Sequence, residues 1–182
     1  MLIGVPLETA AGETRVSVTP ETAKKLKGQG HTIKVQSGAG IAASVTDAAY
    51  EAAGAEITDA AGALGCDLVL KVRAPLHSEL SLMKTGANLV GMLNPFDSDG
   101  LHRLAGAGVT SFALEAAPRT TRAQSMDVLS SQANIAGYKA VMIAADIVLK
   151  VRCPLDAEMP HAKAGSVIIG DRKSTRLNSS HQ

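Results

Sequence analysis

The sequence predicts an α/β protein with a Rossmann-like, doubly wound and mainly parallel sheet. Short β-like runs alternate with helix-like segments up to about residue 145, and the connections between them are only a few residues long. Several helix starts also carry capping residues, as where Thr19 precedes Pro20 and Glu21. Such an alternation is typical of parallel strands with helices covering both faces of the sheet.

The predicted elements follow in a regular order. The chain opens on a short apolar strand over residues 2–6, and a helix from Pro20 to about Lys27 ends at Gly28 and Gly30. The other predicted strands cover residues 31–36, 55–57, 67–72, 87–93 and 109–114. The other predicted helices begin at Asp47 and after Asp59, and cover residues 77–84, 97–105 and 130–145.

A glycine-containing segment, Ser37 to Gly40, follows the second strand and is similar to part of a dinucleotide-binding loop. Such a loop needs a third glycine three residues on, at the start of a helix. Ala43 occupies that place, and no long helix begins there. We therefore predict a tight turn without a phosphate-binding role.

Composition excludes several classes of function. The formal net charge is +1, which provides no basic field for nucleic acid. The cysteines and the five histidines are not spaced as metal ligands, so we expect no metal site. No run approaches the ~18 consecutive apolar residues of a membrane span, and we expect this chain to be soluble. Aromatic residues make up 2% of the chain, so its core must be built from small aliphatic side chains.

A polar segment from Pro118 to Gln132 is the strongest candidate for a functional site. It lies between a β-like run and a helix of small residues, where α/β proteins often place binding loops. Arginine offers a planar fork of donors, glutamine donates and accepts, and ionised aspartate only accepts. This set suits a carboxamide, a ribose or a carboxylate. Asp127 could equally cap the following helix, with Arg119 as its ion-pair partner.

Residues 67–91 recur near the end of the chain as residues 146–170. The offset is 146 − 67 = 79 and holds without a gap, so that Glu79 matches Glu158. Repeat architectures need several copies at regular spacing, whereas this copy is single and partial. We predict that a second version of the same region has been joined to the chain, by recombination or by misassembly of the reading frame. A genuine duplication of a β-turn-α unit is the alternative.

Residues 171–182 differ in character from the rest of the chain. They contain a single aliphatic residue, Leu177, among charged and polar ones. The segment resembles the translation of a sequencing-library adapter, and we exclude it from the prediction of the fold.

The polar segment and the opening of the chain together carry a family resemblance. Residues 118–138 resemble the nicotinamide loop of the proton-translocating NAD(P) transhydrogenase alpha subunit. Residues 3–20 resemble the start shared by alanine dehydrogenases and transhydrogenases, and residues 37–40 and 70–75 also fit. The resemblance covers residues 1–145, which we predict to be a truncated N-terminal domain of this family. The loop positions that carry it are Arg119, Arg122, Gln124, Asp127, Ser130, Gln132, Asn134, Gly137 and Tyr138.

The resemblance implies hydride transfer between NADH and NADP, coupled to proton translocation. It implies that this domain holds NAD(H), and that a partner domain binds NADP(H) while another crosses the membrane. It also implies a homodimer on the cytoplasmic side of the inner membrane, attached there through partner subunits or domains. Hydride transfer needs two rings brought to about 3–3.5 Å, so the family's chemistry is positioning rather than acid–base catalysis.

The resemblance also assigns roles to residues of the polar segment. Arg119 and Asp127 would orient the carboxamide and ribose of the cofactor, and Gln124 would reach towards the second nicotinamide. These three are the predicted catalytic residues. Ser130 would hydrogen-bond the carboxamide and completes the predicted cofactor-binding set.

Two alternatives remain open. Arg15 and Arg73 match positions that bind the substrate carboxylate in alanine dehydrogenases, although Arg73 replaces a lysine there and Asn94 stands in place of the catalytic histidine. An inactive orphan fragment is the other alternative, because no glycine-rich dinucleotide loop follows Ala145. We therefore expect the 182-residue chain alone to bind NAD(H) very weakly.

Overall fold

Runs of aliphatic residues form one six-stranded sheet in the computed structural model, which describes residues 1–118, 120–144, 147–149 and 167–169. The strands lie in the order β3-β2-β1-β4-β5-β6, and each neighbouring pair is parallel. The predicted Rossmann-like parallel sheet is confirmed, and the strand order reverses between β1 and β4. The strands are β1 (Leu2–Val5), β2 (Thr32–Gln36), β3 (Glu56–Thr58), β4 (Leu68–Arg73), β5 (Asn88–Met92) and β6 (Thr110–Ala113).

Helices connect these strands, and two of them begin at side-chain caps. The Thr19 hydroxyl accepts a hydrogen bond from the Thr22 amide, and the Asp59 carboxylate accepts one from the Gly62 amide. The helices are α1 (Pro20–Gly28), α2 (Asp47–Ala52), α3 (Ala60–Leu64), α4 (His77–Leu80) and α5 (Ser98–Gly106). Short 3₁₀ helices cover Ile41–Ala43, Leu114–Ala116 and Thr121–Met126.

One helix is shorter than predicted. The sequence predicts a helix over residues 77–84, but α4 ends at Leu80. Beyond it, the amides of Leu82 and Met83 bond three residues back, to the carbonyls of Glu79 and Leu80. These tighter turns direct Met83 into the core, where it is buried.

The glycine-containing segment is the tight turn that the sequence predicts. Gly38 has a φ of 79°, a conformation that favours glycine, and only the 3₁₀ helix Ile41–Ala43 follows. The Asp47 carboxylate accepts hydrogen bonds from the Ser37 hydroxyl and the Gly38 amide, which lower its pKa. A carboxylate therefore already occupies the amide that a phosphate would use, and this turn is structural.

The core lies against the sheet and is built from small aliphatic residues, as the composition predicts. Tyr50 is the exception, and it is fully buried with its hydroxyl donating to the Val18 carbonyl at 2.7 Å. Gly4 allows β1 to approach α3, because a Cβ atom at Gly4 would overlap the Ala63 carbonyl oxygen. This close approach fixes β1 at the centre of the sheet.

The chain divides into two compact units, Met1–Asp127 and Val128–Gln182. In the second unit, α6 (Val128–Ala144) begins two residues before the predicted Ser130. The parallel strands β7 (Ile147–Leu149) and β8 (Val167–Ile169) pair Ile147 with Val167. The equivalent residues of the first copy, Leu68 and Asn88, pair in the same way in β4 and β5. Each lies 79 residues earlier, which is the offset of the repeat.

Candidate functional site

The candidate site lies at the carboxyl edge of the sheet, the edge where all six parallel strands end. Glu8 follows β1, Arg73 ends β4 and Asn94 follows β5. The chain that follows β6 leads to Gln124 and Asp127. Open α/β sheets bind ligands at this edge, beside the point where the strand order reverses.

Glu8 holds the end of β4. Its carboxylate accepts hydrogen bonds from the backbone amides of Val72 at 2.6 Å and Arg73 at 3.1 Å. These amides lie where the pairing of β4 with β5 shifts in register, between Leu70 and Arg73. A side chain from the β1 loop therefore replaces the regular ladder and fixes where Arg73 leaves the sheet.

Lys71 is a buried cation beside Glu8. Its ammonium lies 2.9 Å from the Glu79 carboxylate and 3.7 Å from that of Glu8, and its side chain is only 1% exposed. Glu79 also accepts hydrogen bonds from the Leu76 amide and the Thr9 hydroxyl. A buried charge needs this degree of pairing, because leaving any of these groups alone in the interior is costly.

Glu13 joins two arginines at the same edge. Its carboxylate lies 2.6 Å from the Arg15 guanidinium and 3.0 Å from that of Arg73. The hydrogen bond from Arg15 is the main reason that the pKa of Glu13 falls from 4.5 to about 2, with Arg73 adding to it and burial opposing it. Glu13 is therefore ionised near neutral pH, and an external carboxylate would have to compete with it for both arginines. Glu8, Glu13, Arg15, Lys71, Arg73 and Glu79 are called the β1–β4 cluster below.

Asn94 and Glu115 meet at the ends of β5 and β6. Asn94 has a φ of 52°, in the left-handed region, and its backbone amide donates to the Glu115 carboxylate at 2.6 Å. The other carboxylate oxygen of Glu115 is buried and accepts no hydrogen bond in the part of the chain that the structure describes. A buried acceptor without a donor is uncommon in folded proteins and marks a place to seek a ligand.

The polar segment places some of its predicted residues on one short element. Gln124 lies on the 3₁₀ helix Thr121–Met126, and Asp127 caps it by donating its backbone amide to the Gln124 carbonyl. Ala123 is buried and anchors this helix, whereas the Gln124 side chain is exposed and Asp127 is half-buried. This 3₁₀ helix, which belongs to the first unit, is thus anchored on one side and exposes Gln124 to solvent on the other.

The remaining predicted residues lie elsewhere. Arg119 is outside the described residues. Ser130 is an exposed residue near the start of α6, in the second unit, and it takes part in an interaction. Ser130 is therefore near Asp127 in sequence, while the two belong to different compact units.

A family match covers most of these residues. Residues 4–136 match the family model described as alanine dehydrogenase/PNT, N-terminal domain. The chain belongs to this family. The matched range includes the residues of the carboxyl edge and the whole polar segment, Pro118 to Gln132, and it confirms the resemblance inferred from the sequence.

The chain is similar in sequence or in structure to three proteins of known identity. It is 45% identical over 150 residues to the first portion of the NAD(P) transhydrogenase alpha subunit of Rhodospirillum rubrum, covering 78% of this chain and 39% of that protein. The crystal structure of transhydrogenase from Sinorhizobium meliloti is 36% identical with a TM-score of 0.76, covering 93% of this chain and 58% of that one. A solved L-alanine dehydrogenase is 33% identical with a TM-score of 0.73, covering 80% and 40%. The chain therefore spans between two fifths and three fifths of these relatives.

Sequence reasoning missed several residues of this family member's carboxyl edge. Glu8 and Glu13 fall within the opening motif without an assigned role, and Lys71 is read only as part of a strand. A lysine inside an otherwise aliphatic strand is a usable signal, since burial of its charge requires a carboxylate nearby. Nothing local in the sequence distinguishes Glu79 or Glu115 from exposed glutamates.

Neither a metal site nor a membrane span is found among the described residues. No group of three histidine, cysteine, aspartate or glutamate residues is arranged to hold a metal ion in that part of the chain. Over the same residues, none of the helices combines the length and the apolar character needed to cross a bilayer.

Proposed function

We propose that this chain supplies the NAD(H)-facing part of a proton-translocating NAD(P) transhydrogenase. The observation that supports the proposal is the polar segment itself, whose residues resemble the transhydrogenase loop and in which Gln124 is exposed on the 3₁₀ helix Thr121–Met126. The relative with the highest quoted identity, at 45%, is named as a transhydrogenase subunit, and the L-alanine dehydrogenase structure is 33% identical.

The side chains at this edge fit a nicotinamide nucleotide. Its carboxamide and ribose hydroxyls both donate and accept hydrogen bonds. The polar segment offers the exposed Gln124 amide, and Glu115 has a carboxylate oxygen without a donor among the described residues. In this proposal Arg119 and Asp127 orient the carboxamide and ribose, and Ser130 binds the carboxamide. NAD(H) when bound supplies the hydride.

The protein's contribution is to position the cofactor. Gln124 lies on a 3₁₀ helix anchored by buried Ala123, which restricts where its amide can reach. We propose that Gln124 binds the cofactor held by this domain and bridges from it towards the second nicotinamide, which belongs to NADP(H) on a partner domain. Holding two reactants in register can supply a large part of the rate enhancement without any acid or base.

The whole activity belongs to a larger assembly in this proposal. The partners are an NADP(H)-binding domain and a membrane domain through which protons pass, and two copies of this domain form a homodimer. The assembly places this domain on the cytoplasmic side of the inner membrane.

An amino-acid dehydrogenase is the second candidate, because two arginines resemble those that bind the substrate carboxylate in alanine dehydrogenases. Arg15 and Arg73 both contact the Glu13 carboxylate, which leaves them poorly suited to a substrate carboxylate. Asn94 also replaces the histidine expected there, and an amide cannot act as an acid or base at neutral pH. These two features rank the dehydrogenase below the transhydrogenase.

A chimera tests the proposal. Residues 4–136 replace the matching region of the Rhodospirillum rubrum relative, and the chimera is combined with the other transhydrogenase components. We expect hydride exchange between NADH and an NADP analogue, and no oxidation of NADH with pyruvate and ammonia.

Two variants of the chimera sharpen the result. Gln124→Ala should slow hydride exchange, whereas Gln29→Ala, which alters an exposed glutamine beside α1, should not. NADH oxidation dependent on pyruvate and ammonia, without hydride exchange, would instead support the dehydrogenase.

A further inference from the structure

Asn94 has a left-handed backbone conformation, which is uncommon for residues other than glycine. It is one of two non-glycine residues with positive φ among those described, the other being Ser44, which ends a 3₁₀ helix. Its side chain is exposed and makes no hydrogen bond within the described part of the chain. Unusual backbone conformations of this kind cluster at binding sites, where they aim a side chain.

The Glu115 carboxylate is the group that holds Asn94. It accepts a hydrogen bond from the Asn94 backbone amide at 2.6 Å across a separation of 21 residues, from the 3₁₀ helix that follows β6 to the residues that follow β5. The bond fixes the backbone from which the Asn94 carboxamide projects at the carboxyl edge. The second oxygen of Glu115 remains without a donor in the described residues, so internal packing alone does not account for a carboxylate here.

We propose that the Asn94 carboxamide binds the carboxamide of the nicotinamide ring, and that Glu115 is the residue that positions it. This inference rests on the proposed function and names a contact outside the polar segment. A primary amide presents one acceptor and two donors, so two carboxamides can pair through two hydrogen bonds. A nicotinic acid ring carries a carboxylate, which offers only acceptors, so it would lose one of these two hydrogen bonds.

A purely structural role for Asn94 makes a different prediction. Its carbonyl accepts a hydrogen bond from the Asp97 amide at 3.0 Å, which closes the turn before α5. Asparagine and glycine both tolerate the left-handed conformation, so Asn94→Gly preserves this turn and removes only the carboxamide. The variant therefore separates ligand binding from turn formation.

The experiment is a titration of the ¹⁵N-labelled 182-residue chain with nicotinamide mononucleotide and with nicotinic acid mononucleotide, followed by amide chemical shifts. In the unmodified chain we expect the Asn94 and Gln124 amides to shift with the nicotinamide form at millimolar concentration. Asn94→Gly should weaken that binding about threefold to tenfold, the value of one or two hydrogen bonds, with unfolding unchanged. Its affinity for the nicotinic acid form should change less.

Two substitutions test the positioning role of Glu115. Glu115→Ala removes the acceptor and should weaken nicotinamide mononucleotide binding as much as Asn94→Gly does. Glu115→Gln keeps an oxygen that accepts the Asn94 amide, and it should restore binding. The spectrum of each variant shows whether it is folded.

The outcomes are distinguishable from those of the proposed function. If nicotinamide mononucleotide binds and Asn94→Gly binds it equally well, this inference is wrong and the proposed function stands. Equal loss in Glu115→Gln and Glu115→Ala would show that the carboxylate acts directly, contrary to a positioning role. If no amide shifts in the unmodified chain at millimolar concentration, this inference is wrong, whereas the proposed function stands or falls on hydride exchange by the chimera.

Discussion

The carboxyl edge contains two polar regions that differ in how their charges are satisfied. In the β1–β4 cluster, Lys71 contacts two carboxylates and Glu8 accepts two backbone amides, and the side chains of both residues are buried. In the polar segment, by contrast, Gln124 is exposed, and Ala123 is the one buried residue among those of the segment that the structure describes. Polar side chains are therefore paired in the interior in the first region, whereas Gln124 is exposed to solvent in the second.

The two regions differ in whether their polar groups lose contact with water when the protein folds or only when a ligand binds. A buried charge must find its partners when the protein folds, so its groups have little capacity left for a ligand. An exposed amide keeps its hydrogen bonds to water until a ligand replaces them, which costs the fold nothing. We therefore expect substitutions in the β1–β4 cluster to change stability and those in the polar segment to change binding.

Removing the cation of the β1–β4 cluster should have the largest effect. Lys71→Met leaves Glu8 and Glu79 buried without their positive partner, and we expect a loss of about 3–5 kcal/mol in the free energy of unfolding. Urea denaturation measures it. Lys25→Met is the matched control, because Lys25 forms an exposed pair with Glu21 and should cost less than about 1 kcal/mol. Equal losses would remove the distinction between buried and exposed charges.

Removing the acceptor for the end of β4 should have the next largest effect. Glu8→Ala leaves the Val72 and Arg73 amides without their acceptor, and we expect a loss of about 1–3 kcal/mol in the free energy of unfolding. Amide hydrogen exchange at these two positions should accelerate as well. Glu51→Ala, at an exposed position of α2, should stay within about 0.5 kcal/mol. Unchanged exchange at Val72 would show that Glu8 does not hold the strand end.

Acid should weaken the cluster through Glu13. Because its pKa is about 2 in the folded protein and 4.5 otherwise, ionised Glu13 contributes its full stabilisation above pH 4.5 and loses it as pH falls towards 2. The free-energy difference between the unmodified chain and Glu13→Gln should therefore shrink across that range. Thermal unfolding as a function of pH measures it, with Glu51→Gln as control. A difference that stays constant with pH would contradict the link between Glu13 and the arginines.

The smallest effect on stability should come from the polar segment. Gln124→Ala should change the free energy of unfolding by less than about 0.5 kcal/mol, since the side chain is exposed. The same variant should bind nicotinamide mononucleotide about threefold to tenfold more weakly. Gln29→Ala should leave both quantities unchanged. A destabilised Gln124→Ala variant would place this residue in the fold rather than in the site.

The sequence predicts the elements better than it predicts their contacts. Alternating apolar runs and caps such as Thr19 and Asp59 predict the strands and helices to within a few residues. The exception is α4, which ends at Leu80 because the following residues turn more tightly to bury Met83. Such an ending depends on the core that the residues enter, which no local pattern contains.

The residues of the candidate site likewise differ in how far the sequence alone can predict them. Gln124 and Asp127 are recognisable because they lie three positions apart in one motif. Glu8 and Lys71 are not, because their contact exists only if β1 lies beside β4. The role of Glu115 likewise depends on the adjacency of β5 and β6.

By itself the sequence determined where strands and helices form and which segment carries the polar residues, because periodicity, capping and motif spacing act over a few neighbouring residues. The tertiary structure decided which charged side chains are buried in ion pairs and which stay exposed to solvent. The strand order brings Glu8 to Val72 across 64 residues and Glu115 to Asn94 across 21, and only a folded sheet closes such distances. Burial then determines whether each polar group serves the fold or a ligand.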